Sequence, residues 1–126
     1  MSLRWDASEL EHLEDEVLLT AAVEAHLGAS DVVKGQAVRF RNDWRDNARQ
    51  SAGAHGKLYP ASITIEKVGD TEWEVGPDSS MPQGGMGRGF EWGSVNQPPH
   101  NDMGQAIVEV PDRLESAVKQ WSEKLL

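Results

Sequence analysis

The chain has 126 residues, of which 38% are hydrophobic and 26% charged; its formal net charge is −9 and it contains no cysteine. This length and composition fit one domain with one modest core, and they exclude a wholly disordered chain and a membrane-spanning one. The lack of cysteine excludes disulfides, thiol chemistry and cysteine-ligated zinc. The acidic surplus argues against a general nucleic-acid binder, and a start without a secretory signal predicts synthesis in the cytoplasm.

Two helices are predicted over residues 9 to 52, where a capping-box pattern opens the segment and apolar residues recur at helical spacing. Gly28 is expected to end the first helix, and Ser30 or Asp31 to cap the second. Arg41, Arg45 and Arg49 then form a stripe at intervals of four residues on the second helix. Since the chain has a surplus of acids, we expect the stripe to pair with carboxylates or face water rather than follow phosphates.

The middle of the chain predicts a β-hairpin over residues about 61–76, because apolar and polar residues alternate in "ITIEK" and "TEWEVG" on either side of a Gly-Asp turn. A third strand is predicted to begin at Phe90 in "GFEWGS". A loop over 77–102 and a C-terminal helix over about 103–126 complete the chain, with Pro111 expected to kink this helix or to start its longer half. The predicted fold is α+β, with helices packed on a small antiparallel sheet.

The loop contains "GGMGRGFEWGSVNQPPHND", Gly84 to Asp102. Its glycines do not match a dinucleotide-binding fingerprint or a Walker loop, and "WGSVN" lacks the second glycine of a serine-hydrolase elbow. The four histidines lack metal-ligand spacing. We therefore predict no catalytic, cofactor-binding or metal site, and no cofactor.

Two features of this loop each have two possible interpretations. His100 and Asp102 could supply a general base and an acid, but a turn in which Asn101 or Asp102 caps the final helix explains the same residues. Glu91 is expected either to accept N–H bonds from the following loop or to pair with a basic residue of a neighbouring subunit.

The order "FEWGS", "NQPPHNDMGQA" and a long amphipathic helix resembles the tailed-phage neck family, the head-to-tail joining or tail-completion proteins of siphophages (gene-product-ten type). Glu91, Gly93, Ser94 and Pro99 match its short pattern. The upstream helices and hairpin follow the family's order over essentially the whole chain. The chain departs from the pattern after the proline, where His100 and Asn101 replace an aromatic residue and a leucine.

The resemblance implies a virion structural protein without catalysis. It would form a homo-oligomeric ring, expected to be hexameric, between a head-closure or connector protein and a tail-terminator or tail-tube protein. Genomic double-stranded DNA would pass through this ring without sequence-specific binding. The predicted interface residues lie mostly in the loop: Arg88, Phe90, Glu91, Trp92, Gly93, Ser94, Pro98, Pro99 and Trp121.

Three other hypotheses remain open at this stage. One is the tail terminator of the same virion, another is a small hydrolase using Glu91, His100 and Asp102, and the last is a monomeric adaptor or inhibitor. Replacing Gly84–Asp102 by a short linker is expected to leave a folded monomer that fails to join heads to tails.

Overall fold

The computed structural model describes the backbone of residues 16–125 and the side chains of residues 22–125. Within residues 16–125, five α-helices and two strands follow one another, with a 3-10 turn at Gly84–Met86 before the third helix. The elements are α1 (Glu16–Ser51), α2 (Tyr59–Ser62), β1 (Ile63–Lys67), β2 (Trp73–Pro77), α3 (Gly87–Trp92), α4 (Asp102–Ile107) and α5 (Val110–Lys124).

A single helix of 36 residues, α1, replaces the two predicted helices. The prediction that Gly28 ends a helix is wrong, and Ser30 and Asp31 lie inside α1 rather than at a cap. A Cβ atom on Gly28 would lie 2.6 Å from Nε1 of Trp121, so this glycine allows α5 to approach α1 closely. Ser30 instead donates its hydroxyl to the carbonyl of Asp70 at 2.9 Å. The predicted start near residue 9 lies outside the described residues.

The predicted hairpin is confirmed. Strands β1 and β2 pair antiparallel, with Ile65 opposite Val75 and Glu66 opposite Glu74. One face of this two-stranded sheet packs on α1, and the other face carries the two glutamates. Arg45 of the predicted stripe donates Nε to the carbonyl of Ile63 at 2.7 Å, which ties α1 to β1.

Arg45 thus differs from the expectation, since it binds backbone carbonyls rather than carboxylates or water, whereas the other two stripe residues fit it. Arg49 binds Asp46 at 2.7 Å, and the guanidinium of Arg41 lies against the side chain of Asn42. The stripe is thus used within the chain or faces water.

The core lies where the second half of α1 meets the sheet and the short helices. Tyr59, Ile63 and Phe90 are almost completely buried there, and the rings of Tyr59 and Phe90 stack with centroids 4.5 Å apart. The full cluster contains Trp44, Ala48, Tyr59, Ile63, Phe90 and Ala106, with Phe40, Val75 and Met103 packed against it. The α+β prediction, with helices on a small antiparallel sheet, is confirmed.

The C-terminal region forms two helices rather than one. Pro111 occupies the first turn of α5, as one of the two predicted alternatives requires. The salt bridge between Arg113 and Asp43, 2.8 Å long, holds the start of α5 against α1. Within the described residues, no helix is long and apolar enough to cross a membrane.

The predicted third strand is wrong, because Phe90 lies in the helix α3. Alternation at "FEW" predicts that Phe90 and Trp92 share one face, whereas Phe90 is 1% exposed and Trp92 is 67% exposed. Packing against Tyr59 decides the conformation here, since a helical turn buries Phe90 and Glu91 together and turns Trp92 outward.

Candidate functional site

The segment from α3 to the start of α4 folds around the carboxylate of Glu91. Its Oε2 accepts the N–H of Met103 at 2.9 Å, and its Oε1 accepts the N–H of Gly104 at 3.0 Å. Glu91 is only 5% exposed, so these bonds satisfy a charge that would otherwise be costly to bury. Of the two predicted alternatives, Glu91 does accept backbone N–H bonds, but their donors lie in the first turn of α4 rather than in the preceding loop.

The first turn of α4 is therefore capped by the Glu91 side chain of another helix, α3. Asn101 precedes α4 in a left-handed conformation, with φ 55°, and its side chain forms no cap hydrogen bond. The prediction that Asn101 or Asp102 caps this helix is wrong, because Glu91 already occupies the amides that a local cap would bind. Asp102 faces α1 instead, where Oδ1 accepts the hydroxyl of Ser51 at 2.7 Å.

Between these anchors the chain makes a closed loop. The N–H of His100 bonds to the carbonyl of Phe90 at 2.8 Å, and the N–H of Asn101 to that of Glu91 at 3.1 Å. Gly93 has φ 85°, and a Cβ atom there would lie 2.9 Å from the nitrogen of Pro99. Only glycine fits both constraints. The loop is thus an ordered part of the fold.

The tip of this loop projects apolar surface. Ser94 and Gln97 pair across a turn, with the N–H of Ser94 2.9 Å from the carbonyl of Gln97. Val95 stands fully exposed in that turn. Ser94, Pro98 and Pro99 are exposed as well, which fits their predicted place on a contact surface.

A groove of about 330 Å³ opens beside the loop. Its lining includes Arg88, Glu91 and Trp92 of α3, Met103 of α4 and Pro77 at the end of β2. Gly85 and other glycines of the loop form part of the wall, which brings the backbone to the surface of the groove. Tryptophan and arginine are the residue types enriched at the energetic centres of protein interfaces.

The predicted interface residues therefore separate into four groups, of which Gly93, Ser94, Pro98 and Pro99 belong to the loop described above. Arg88 and Trp92 lie at the groove, whereas Trp121 packs on Gly28 near the far end of α1. Phe90 is buried within the chain, so the prediction that it contacts a partner directly does not fit its position, whereas Glu91 is 5% exposed and borders the groove. They hold the loop in shape.

The same burial changes the expectation for the linker variant. Removing Gly84–Asp102 would take Phe90 out of the core, and truncating a single buried phenylalanine already costs about 3–5 kcal/mol. A folded monomer is no longer the expected result, and single substitutions on the surface are the better test.

The structure brings together the three residues of the hydrolase hypothesis, but it uses them structurally. Burial raises the pKa of Asp102, and Glu91 raises it further, while the Ser51 hydroxyl and His100 oppose that rise. Nδ1 of His100 lies 4.0 Å from Oδ2 of Asp102, beyond hydrogen-bonding distance. Both Glu91 oxygens are occupied by amides, and Asp102 is 2% exposed. The Glu91 side chain borders the groove, where both of its oxygens already accept backbone N–H groups.

Tyr59 is the chemically unusual residue that sequence reasoning missed. Its phenol lies in the core, and burial, with the nearby Asp102 and Glu91 carboxylates, raises its pKa to about 12. Its position after the glycine-rich "AGAHGKL" gave no periodic signal.

Within the part of the chain that the structure describes, no three His, Asp or Glu side chains form a group suited to a metal ion.

The acidic hairpin face was also missed. Glu66 and Glu74 are exposed and directly opposite in register, an arrangement that destabilises a strand pair. The alternation of the two strands contained the signal, because it places both glutamates on the polar face once the register is known.

Comparison with known proteins adds no identification, since no family model, curated protein or solved structure matches the chain.

Proposed function

We propose that this chain is a virion structural protein of a tailed bacteriophage, which forms a ring in the neck and joins the head-closure or connector complex to the tail. The observation that carries the proposal is the structure of the loop between α3 and α4, which Glu91 closes by capping α4. Glu91, Gly93 and Pro99, three of the four residues that match the neck-family pattern, have linked structural roles. Glu91 accepts the free N–H groups in the first turn of α4, and Gly93 permits the close approach of Pro99.

This arrangement supports an assembly role, because it produces a firm projection rather than a reactive cleft. The carboxylate at its centre is bound by backbone amides, and the exposed positions include Trp92, Val95 and two prolines beside the polar Ser94 and Asn96. A preformed surface binds a neighbour with a smaller entropy cost than a mobile loop does. On this account the protein is not an enzyme, and it needs no cofactor.

The exposed hairpin face supports passage of DNA. Glu66 and Glu74 repel one another across the strands, and Glu72 adds a third exposed acid beside the turn. A face that costs stability in this way suits a channel wall, because a negative potential keeps phosphates from adhering. We place this face toward the DNA path, so that the genome leaves without sequence-specific contact.

Native mass measurement over a range of concentrations tests the ring. We expect a discrete closed species, with six copies of the 13.9 kDa chain as the leading stoichiometry. A closed species with another copy number would correct the stoichiometry alone. An unlimited series of masses would indicate filaments instead of a ring. A single copy at every concentration would contradict self-assembly.

A further inference from the structure

We infer that the groove beside Trp92 binds the first part of α1 from a neighbouring copy of this chain. The inference rests on the proposed ring and identifies its contact. Two surfaces carry it: the groove at one end of the molecule, and the portion of α1 that precedes Gly28 at the other. Each surface is mostly apolar. The carboxylate of Glu91 in the groove is bound by backbone N–H groups, which leaves the cation of Arg88 to face the acidic helix segment.

The helix α5 packs along α1 as far as Gly28, and the first part of α1 extends beyond this contact. Trp121, near the end of α5, packs on Gly28. Before that point Val23 is 52% exposed and Leu27 is 58% exposed. These two residues are four positions apart and so share one face, which is the spacing used when a helix docks in a groove.

The groove has the size and chemistry to accept this pair. An apolar cavity of roughly 150 Å³ holds a benzene-sized group, so a groove of about 330 Å³ has room for two aliphatic side chains. Trp92, Met103 and Pro77 supply apolar walls. Covering the 67% of Trp92 that is exposed would add to the stability of the contact.

Charge favours the same pairing. Residues 16–33 contain Glu16, Glu24 and Asp31 but no lysine or arginine. Arg88 borders the groove and forms no salt bridge within residues 22–125. Glu24 is three residues before Leu27 and so flanks the apolar pair on the helix surface, where its carboxylate can pair with Arg88 when Val23 and Leu27 occupy the groove. Such pairs at the rim of an interface mainly fix its register and partner.

Geometry makes the contact intermolecular. The middle of the Val23–Leu27 face lies 19 residues before Trp44 on the helix α1, or about 28 Å along its axis at 1.5 Å per residue. Trp44 lines the groove, so one chain cannot fill its own groove with this helix. A contact between two different surfaces is heterologous, and repeating it produces a ring when the rotation closes.

Two variants with complementary defects test the inference. Val23→Asp/Leu27→Asp removes the helix surface, and Arg88→Glu/Trp92→Ala removes the groove surface. We expect each variant alone to shift from the wild-type oligomer to a single 13.9 kDa copy in sedimentation velocity. Mixed one to one, they should form a dimer and stop there, because only one intact pair of surfaces remains. Circular dichroism checks that both variants fold.

The remaining arms make the test specific. Val68→Asp changes an equally exposed apolar residue at the hairpin turn, and this control should assemble like the wild type. Arg88→Glu with Glu24→Arg in one chain should recover the assembly that Arg88→Glu loses. The inference is overturned if either double variant still assembles, if the mixture stays monomeric, or if the wild type never assembles. Assembly by both variants, with loss of head-to-tail joining only in the groove variant, would instead indicate a head or tail protein in the groove, and the neck proposal would stand.

Discussion

Gly104 donates its backbone N–H to Glu91 across thirteen residues of chain, at 3.0 Å. The neighbouring N–H of Met103 binds the other carboxylate oxygen. The start of α4 thus depends on a side chain of α3. This link sets the shape of the intervening loop, and with it the position of every exposed residue assigned to assembly.

Replacing Glu91 tests this link. Glu91→Gln keeps one acceptor but turns an amide NH₂ toward a backbone donor, and Glu91→Ala leaves both N–H groups without a partner. Each buried N–H left unpaired costs about 1–3 kcal/mol, so we expect the alanine variant to be the less stable. Denaturant unfolding measures both. Glu115→Gln, on the exposed surface of α5, is the control and should change stability by less than about 0.5 kcal/mol.

Gly28 and Gly35 form a matched pair within α1. A Cβ atom on Gly35 would meet nothing within 4 Å, whereas on Gly28 it would meet the indole of Trp121 at 2.6 Å. Gly35→Ala should stabilise the protein by about 1 kcal/mol through helix propensity. Gly28→Ala should lose that gain and more, because the indole must move. Equal stabilisation in thermal unfolding would show that Trp121 does not pack there.

Tyr59 gives a clean spectroscopic test of the core, because it is the only tyrosine in the chain. The absorbance of its phenolate should appear near pH 12 in the folded protein and near 10 in denaturant. A raised pKa means that the folded state holds the proton more tightly. This contribution to stability is present below pH 10 and is lost as the pH rises toward 12. A folded-state transition near 10 would place the phenol in water.

The opposed glutamates of the hairpin predict a stabilising charge reversal. Glu66→Lys replaces repulsion across the strands with attraction to Glu74, and a cross-strand pair contributes about 0.2–1 kcal/mol. The gain should shrink at high salt, since both groups are exposed. Glu115→Lys changes the same charge at an exposed position in the middle of α5, away from the ends of the helix dipole, and should not reproduce it. The absence of a gain at low salt would mean that the two carboxylates do not repel each other.

The sequence predicted those elements whose signals are local. The hairpin follows from strict alternation around Gly69, and the start of α5 follows from Pro111. Gly28 and Phe90 misled because long-range packing decides their conformation. Gly28 was predicted to end a helix, but its role is to make room for Trp121. Phe90 was predicted to lie in a strand, but its packing against Tyr59 favours a helix.

The candidate site shows the same division. Arg88 and Trp92 were selected by residue type and by the resemblance, and they do lie together at the groove. Nothing in the spacing placed the groove within reach of Met103, or the amides of α4 within reach of Glu91. Those contacts depend on how the loop returns to α3, and this fold-dependent geometry has no local signature.

The central claim is that the exposed face at Trp92 joins this protein to its neighbours in a phage neck. Its most direct test adds purified chain to separated heads and tails from particles made without it, and counts joined particles by electron microscopy. Wild type should restore joining, and Trp92→Ala should lose it while unfolding at the wild-type temperature, because this side chain is mostly exposed. Unjoined particles with the wild-type chain, or full joining with Trp92→Ala, would contradict the claim.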